Sequence, residues 1–324
     1  MQIITVWVND LLVFTITLES MTNLKHEISE MFEVSDLVEP NKIVGIEISR
    51  DQEKKLITIK QLMYIDAILK KYRMEGINPV KTPMDSSLVL EPRETEARNH
   101  SNNYASLIGS LMYAAVATRP DIVYAVNRLA SFTANPTLSH WNAAKQIMRY
   151  LKGTRDYGIT YSKTEDPTDH VHGYSDASFA NYHDRTSVSR YTFMKAGGVI
   201  TWGSKKQNTV YLSSTEAEYI CMSDVARDAL WLRSLYSELG YTQPEPTLVR
   251  GDNLSSLAIA ENPRYHKRTK HFDIKHHFIR DQIKTETIQT KYCPTGEMTA
   301  DIFTKALPRQ HFEHHRDTLG VSST

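Results

Sequence analysis

Disulfide-building cysteine is almost missing from this 324-residue chain. Cys221 and Cys293 alone cannot build a disulfide framework, which excludes the small cross-linked secreted domain and fits a reducing compartment. Net charge is missing too. Lys+Arg and Asp+Glu stand at 38 each, so overall charge announces no nucleic-acid partner and any such signal has to be local. There is no long apolar run. The most apolar opening, Ile3 to Leu18, is interrupted by Asn9 and Asp10 and has no basic segment before it, which argues against a signal peptide and a membrane span. No low-complexity tract suggests a tail. What remains is ordinary globular composition, 40% hydrophobic and 23% charged, in a chain long enough for two or three domains.

Against this plain background one stretch stands out, Leu212-Ser213-Ser214-Thr215-Glu216-Ala217-Glu218-Tyr219. It opens a long helix: Met222, Val225, Ala229, Leu232 and Tyr236 recur at helical spacing, and Gly240 follows as a stop signal. Projected backwards, that apolar stripe passes through Glu218, and a carboxylate on a buried face is costly unless something pairs with it. Glu216 has a simpler explanation. With Ser213 as N-cap, a Glu three residues on completes a capping box and needs no function.

Three further acids occupy comparable settings. Asp176 falls in the second half of the alternating stretch Val171–Ala180, Asp252 ends the short apolar strand Thr247–Gly251, and Asp301 sits in the small-residue helical turn Met298–Phe303 of a final helix. Taken singly these are weak signals, because an Asp at a strand end is usually a turn residue or a helix N-cap.

Taken together, their order resembles ribonuclease H: Asp on a first strand, Glu on a first helix, Asp ending a later strand, Asp in a final helix. The segments Tyr174-Ser175-Asp176-Ala177, Trp202–Gln207, Leu212–Tyr219, Gly251-Asp252-Asn253, Thr269–Ile274 and Thr299–Lys305 resemble the ribonuclease H domain of copia-type retrotransposon polyproteins. That resemblance implies a catalytic and metal-binding tetrad of Asp176, Glu218, Asp252 and Asp301, and it selects Glu218 over Glu216 a second time. The implied cofactor is a pair of Mg²⁺ ions, with Mn²⁺ as a substitute, about 3.5–4 Å apart. The implied substrate is the RNA strand of an RNA/DNA hybrid. Without metal, such clustered acids repel, and at least one carboxylate should have a raised pKa.

The resemblance continues upstream. Ile3–Thr17 reads as two β-prone runs around Asn9-Asp10, a hairpin signature. Trp7–Leu12 resembles the active-site hairpin of copia-type reverse transcriptases, where two adjacent aspartates sit at the turn. Here the first is Asn9, which brings no charge to a metal site and leaves Asn9 and Asp10 as a degenerate polymerase site. The strand carrying that family's other metal-binding Asp, and the fingers, are not in the sequence, so polymerase activity is not expected without a partner chain. A helix over Leu24–Phe32, a strand over Ile43–Ile48 with Leu56–Ile59 as its hairpin mate, and a helix over Gln61–Tyr72 then resemble the rest of palm and thumb. Residues 86–103 read as a linker. Residues 104–165 resemble a helical connection, with Ala117–Ile122 and Arg149–Thr154 its most specific pieces and Lys145, Arg149, Lys152 and Arg155 either phosphate contacts or a solvated basic face.

The expected architecture is therefore α/β (α+β). A ribonuclease H-like mixed five-stranded sheet with flanking helices fills 166–310, before a tail at 311–324 and after a truncated palm and thumb remnant at 1–85 and the connection. One segment is clearly basic. Arg264, Lys267, Arg268, Lys270, His271 and Lys275 lie within Pro263–Lys284, a composition that fits phosphate contacts as well as it fits a solvent-facing helix. Its histidines have no cysteine pair or regular spacing to suggest zinc, though His271 is a candidate for product release or proton transfer. His311, His314 and His315 have no acid partners in sequence and receive no role.

Partners expected from the resemblance are the hybrid, RNA, and other Pol- or Gag-derived chains, with no membrane. The expected location is the cytoplasm, in a virus-like particle for an active element, or the nucleus. Two functions stay open: a Mg²⁺-dependent ribonuclease H, and a catalytically silent remnant that binds RNA or hybrid.

Overall fold

The computed structural model describes residues 1–90, 101–163, 169–179, 185–211, 213–261 and 273–323; the side chains of 101, 102 and 273–276 lie outside that description. The chain opens with β1 (Gln2–Trp7) and β2 (Asp10–Thr15), an antiparallel pair in which Trp7 faces Asp10 across the turn. The helix α1 (Leu18–Met31) follows. It starts six residues earlier than its apolar pattern suggests, because the Thr17 hydroxyl accepts from the Ser20 N–H and caps it there. Leu24 is the residue of α1 that is buried.

Next come β3 (Lys42–Ile43) and β4 (Ile46–Asp51). The single strand expected over Ile43–Ile48 is thus divided. Val44 and Gly45 have φ of +50° and +75°. A two-residue hairpin turn needs positive φ at both central positions, which Gly supplies without a steric cost. The Tyr113 hydroxyl donates to the Val44 carbonyl and holds the less suited residue in place. β5 (Leu56–Lys60) pairs with β4 as expected, and α2 (Leu62–Lys71) buries Ile65, Ile68 and Leu69.

Helices α3 (Ser101–Ala117), α4 (Val123–Ala130) and α5 (Leu138–Gly153) form the central layer, and a 3-10 turn at Pro120–Ile122 leads into α4. The helical pattern does not run on to Tyr161. Residues Tyr157–Ser162 form a strand, β6, because Tyr157, Ile159 and Tyr161 alternate with small or polar residues and Ile59 lies opposite Ile159 on β5.

From His172 the expected nuclease pattern appears: β7 (His172–Ser178), β8 (Val188–Lys195), β9 (Gly198–Lys206), α6 (Ser214–Glu238), β10 (Thr247–Gly251), α7 (Leu254–Glu261), α8 (Asp273–Lys284) and β11 (Ile288–Tyr292). Two 3-10 turns, Thr295–Glu297 and Thr299–Phe303, lead to α9 (Arg309–Thr318) and β12 (Val321–Ser323). One sheet has the order β11-β10-β7-β8-β9, with β10 parallel to both β11 and β7 and the pairs β7/β8 and β8/β9 antiparallel. This is the mixed five-stranded sheet that the sequence order implied. The segment expected as a tail does not trail away. Its β12 completes a second five-stranded sheet, β12-β6-β5-β4-β3, all antiparallel, which joins strands from three of the expected sequence regions. Gly320 makes that closure possible, since a Cβ there would lie 2.8 Å from the Gly197 carbonyl.

Among the described residues two apolar clusters are the largest of four. Ile65, Leu107, Leu111, Val126, Ile147 and Leu151 build the larger, which also takes in Met194 of β8 and Ile302, Phe303 and Phe312. The second lies beneath α6, where Ile220, Val225, Ala229 and Leu232 meet Phe193, Val249 and Ile288. In the larger core an ion pair is fully buried. Arg119 donates from Nε and Nη2 to Asp121 at 3.0 and 2.7 Å, and from Nη1 and Nη2 to the Thr154 carbonyl and hydroxyl. Tyr150 donates to the same Asp121 at 2.6 Å, and both partners of the pair have 0% side-chain exposure. Arg119-Pro120-Asp121, which in sequence reads as an ordinary helix start, is the polar centre of the helical layer.

Candidate metal centre

The long helix α6 begins where its capping signal places it. Ser213 adopts an extended conformation and its hydroxyl accepts from the Glu216 N–H, so the first turn is closed and Glu218 is carried inward on the buried face. Glu218 is 8% exposed. Beside it, Asp176 projects from β7 at 7% exposure, opposite Arg190 on β8. Asp252 follows β10 directly and is half-buried. The ordinary role for an Asp at a strand end is taken by its neighbour: Asn253, not Asp252, accepts from the Ser256 N–H at 3.0 Å and caps α7. Asp252 Oδ2 instead accepts from the Thr295 hydroxyl at 3.0 Å. One oxygen from each of Asp176, Glu218 and Asp252 lies within 4.8 Å of the others, and among the described residues this is the group of three or more side chains able to hold a metal ion.

The electrostatics are those of crowded acids. The Asp176 carboxyl is pushed up to about 6, by burial first, then by Asp301 and Asp252, while Arg190 pulls the other way. Glu218 is pushed up to about 10, by burial first and then by Asp176, with the Ala177 backbone N–H offsetting part of the cost. Glu218 and Asp176 are hydrogen-bonded to each other. One carboxyl must carry a proton for that bond to form, and the larger shift puts it on Glu218. The raised carboxylate expected from sequence is present twice.

Beneath the acids lies a brace that the sequence did not advertise. The Cys221 thiol donates to the carbonyls of Asp176 and Arg190 at 3.2 and 3.3 Å, and the Ser175 hydroxyl donates to its sulfur at 3.3 Å. Cys221 stands one helical turn beyond Glu218, so a single helix supplies one acid and fixes the backbone of another. Burial keeps the thiol protonated. Its only trace in sequence was the i, i+3 spacing.

Asp301 is placed differently from expectation. It lies in the 3-10 turn Thr299–Phe303, not on the final helix, because α9 begins only at Arg309, eight residues later, behind Pro308 as its N-cap. It is 5% exposed, and its charge reaches Asp176, yet it stands outside the three-carboxylate group. Lys305 Nζ approaches its Oδ2 to 2.7 Å. His315, which the sequence left without an acid partner, is buried within the influence of Asp301. Burial, then His314, nonetheless pushes its imidazole down to about 4.

The remaining candidates divide. Asn9 and Asp10 are exposed at the first hairpin, and the structure brings no group of metal-ligating side chains to them among the described residues. Arg264, Lys267, Arg268, Lys270 and His271 lie outside the described residues, and Lys275 is on α8 with its side chain outside the description. Farther along α8, Arg280 donates to the Ile259 carbonyl at 3.2 and 3.0 Å. Arg149 and Lys152 of α5 are engaged internally, on the Asn78 carbonyl at 2.8 Å and the Ile77 carbonyl at 2.7 Å, and Arg155, just past the end of α5, pairs with Asp66 at 3.2 Å. They fasten α5 to the chain before the linker. No helix among the described residues is long and apolar enough to cross a membrane.

The model of one family, reverse transcriptase (RNA-dependent DNA polymerase), matches residues 1–86. The retrovirus-related Pol polyprotein from transposon TNT 1-94 of Nicotiana tabacum is 36% identical over 328 residues, covering 99% of this chain. The chain spans only 24% of that polyprotein's length. The transposon Ty5-1 protein YCL074W of Saccharomyces cerevisiae is 30% identical over 69% of this chain and 73% of its own. Among solved structures, LC11-RNase H1, isolated from compost, aligns with TM-score 0.34 and 14% identity over 42% of this chain and 93% of that one.

Proposed function

The chain belongs to the family of copia-type retrotransposon Pol polyproteins, and from that premise we propose that it is a Mg²⁺-dependent ribonuclease H that cleaves the RNA strand of RNA/DNA hybrids. The observation that carries this reading is the cluster of Asp176, Glu218 and Asp252. Three acids, two of them more than nine-tenths buried, oppose one another at the ends of the neighbouring inner strands β7 and β10 and the start of α6, an arrangement that costs the fold stability.

The residues suit the ion. All three donors are carboxylate oxygens, the hard ligands that Mg²⁺ and Mn²⁺ prefer, and the neighbouring thiol is held protonated by burial. Bound there, divalent ions supply the Lewis acidity that steadies both the attacking and the leaving oxygen of an in-line phosphodiester displacement. The chain supplies the rest. Asp176, Glu218 and Asp252 would hold an ion between them, and the charge of Asp301 reaches Asp176 as well. Glu218 gives up its proton when the cluster is loaded, so ion binding releases protons and strengthens as pH rises. The Cys221 brace and the Thr295 hydroxyl keep the Asp176 backbone and the Asp252 carboxylate in place throughout. We assign no polymerase activity to the Asn9-Asp10 hairpin.

The test is cleavage of a labelled RNA/DNA hybrid by the purified chain in Mg²⁺, beside Asp176→Asn and against single- and double-stranded RNA. Hybrid-specific cutting that disappears in the variant is the expected result. A folded wild-type chain that binds the hybrid and does not cut it would instead identify a silent binding remnant.

A further inference from the structure

Asp301 should belong with the other three acids, and Lys305 keeps it apart. The Lys305 ammonium lies 2.7 Å from Asp301 Oδ2, and the Thr304 hydroxyl, which donates to the Asp301 carbonyl at 2.9 Å, lies 3.5 Å from Oδ1. Both carboxylate oxygens thus face their own segment. The two partners are unequal: the Asp301 side chain is 8% exposed and that of Lys305 is 52% exposed. An acid buried beside other acids is neutralised by a cation on a flexible stem reaching in from solvent. Such a pair is weak enough to be exchanged, because the ammonium regains its hydration when it leaves.

We infer that Lys305 is a positioning residue that holds Asp301 in place of a second divalent ion. The three-carboxylate cluster fills first, and the fourth carboxylate joins only when another ion displaces the Lys305 ammonium. This rests on the metal-dependent reading of the cluster and adds an order of loading to it. Asp176 is the hinge between the two states. The 3-10 turn that carries Asp301 packs against β7, the strand that carries Asp176, so Asp301 approaches the group from the Asp176 side.

The experiment is Mn²⁺ binding to the full chain without nucleic acid, followed by the loss of the free-ion paramagnetic resonance signal, for wild type, Lys305→Met and Lys305→Arg. The wild type should show one tighter and one weaker ion. Lys305→Met should tighten the weaker ion on the order of tenfold, the effect of removing one nearby positive charge at a partly solvated site, and leave the tighter one unchanged. Lys305→Arg, which keeps the charge, should behave as wild type. A weaker ion unchanged or loosened in Lys305→Met, or a single ion in both proteins, overturns the role of Lys305 while leaving the cluster reading intact. A wild type that binds no Mn²⁺ removes the cluster reading and this inference with it. Acetylation of the wild-type protein keeps the question open to refutation if the Met variant does not fold. Mg²⁺ should raise the acetylation rate of Lys305 several-fold and leave that of the distant Lys54 unchanged, and an unchanged Lys305 rate counts against displacement.

Discussion

Asp121 and Asp176 are both nearly excluded from solvent, at 1% and 7% exposure, yet their surroundings are opposite. The Asp121 carboxylate receives two guanidinium N–H groups and a tyrosine hydroxyl, and that guanidinium spends two further donors on Thr154. Every charge in that centre is answered within the protein. Asp176 meets Glu218, Asp252 and the field of Asp301, with Arg190 as a partial counterweight. Burial alone therefore does not separate structure from function, since both centres pay a desolvation cost. The sign of the neighbours separates them. A buried acid surrounded by donors holds the fold together, and a buried acid surrounded by acids is waiting for a cation from outside.

The same isosteric change at the two positions should break this contrast most visibly. Asp176→Asn should lower hybrid cleavage by several orders of magnitude while leaving the metal-free protein at least as stable as wild type, because it removes a repelling charge. Asp121→Asn should do the reverse. It strands the buried Arg119 guanidinium, and breaking such a pair costs about 3–5 kcal/mol, enough to unfold a marginal domain. Urea denaturation with EDTA, beside the cleavage assay, reads both. If Asp176→Asn proves as destabilising as Asp121→Asn, the acid cluster is a structural network and the contrast fails.

A smaller effect follows from the proton balance. Asp176 ionises near 3.8 when unfolded and near 6 when folded, and Glu218 moves from 4.5 to about 10. Both shifts are upward, so the folded state binds protons more tightly. Their contribution is fully present below about pH 4 and is lost as pH rises, first across the Asp176 interval from 3.8 to about 6 and then across that of Glu218 towards 10. Metal-free protein should thus lose several kcal/mol from this pair between pH 4 and 7, and saturating Mg²⁺ should restore it at the neutral end. Stability measured against pH in EDTA should flatten in the double variant Asp176→Asn/Glu218→Gln. A slope that survives in that variant belongs to other groups.

The centres also differ in how far the sequence discloses them. The order of Asp176, Glu218, Asp252 and Asp301 along a strand, helix, strand and turn is a pattern in one dimension, and the antiparallel meander of β7, β8 and β9 is legible in the same alternation of elements. The Arg119 network was invisible because its other members, the acceptor Thr154 and the donor Tyr150, come from the end of another helix, and Arg-Pro-Asp at a helix start has a sufficient local explanation in its caps. Strand β6 was hidden for a related reason. Tyr157–Ser162 has no partner nearby in sequence, and its neighbours β5 and β12 come from the two ends of the chain. Lys305 was printed beside Asp301 as part of a motif, but a spacing of four does not say whether a lysine serves a helix face or holds an acid away from its companions.

The smallest expected effect is the most exacting for the contrast, because it compares two glutamates two residues apart on one helix. Glu216 is half-buried in the first turn of α6, where its backbone N–H is held by the Ser213 hydroxyl, whereas Glu218 enters the cluster. Glu216→Gln keeps that backbone bond, retains a side chain suited to a helix start, and should change stability by less than about 0.5 kcal/mol with cleavage within about twofold of wild type. Ser213→Ala removes the cap itself and should cost about 1 kcal/mol. Its cleavage should fall only as far as fraying of the first turn displaces Glu218. Glu218→Gln, by contrast, should abolish Mg²⁺-dependent stabilisation with the helix intact. Circular dichroism melts with and without Mg²⁺ across the three variants separate the capping role from the ligating one. A Glu216→Gln protein that loses its response to Mg²⁺ would move the ligand one turn position along α6 and undo the assignment on which the contrast rests.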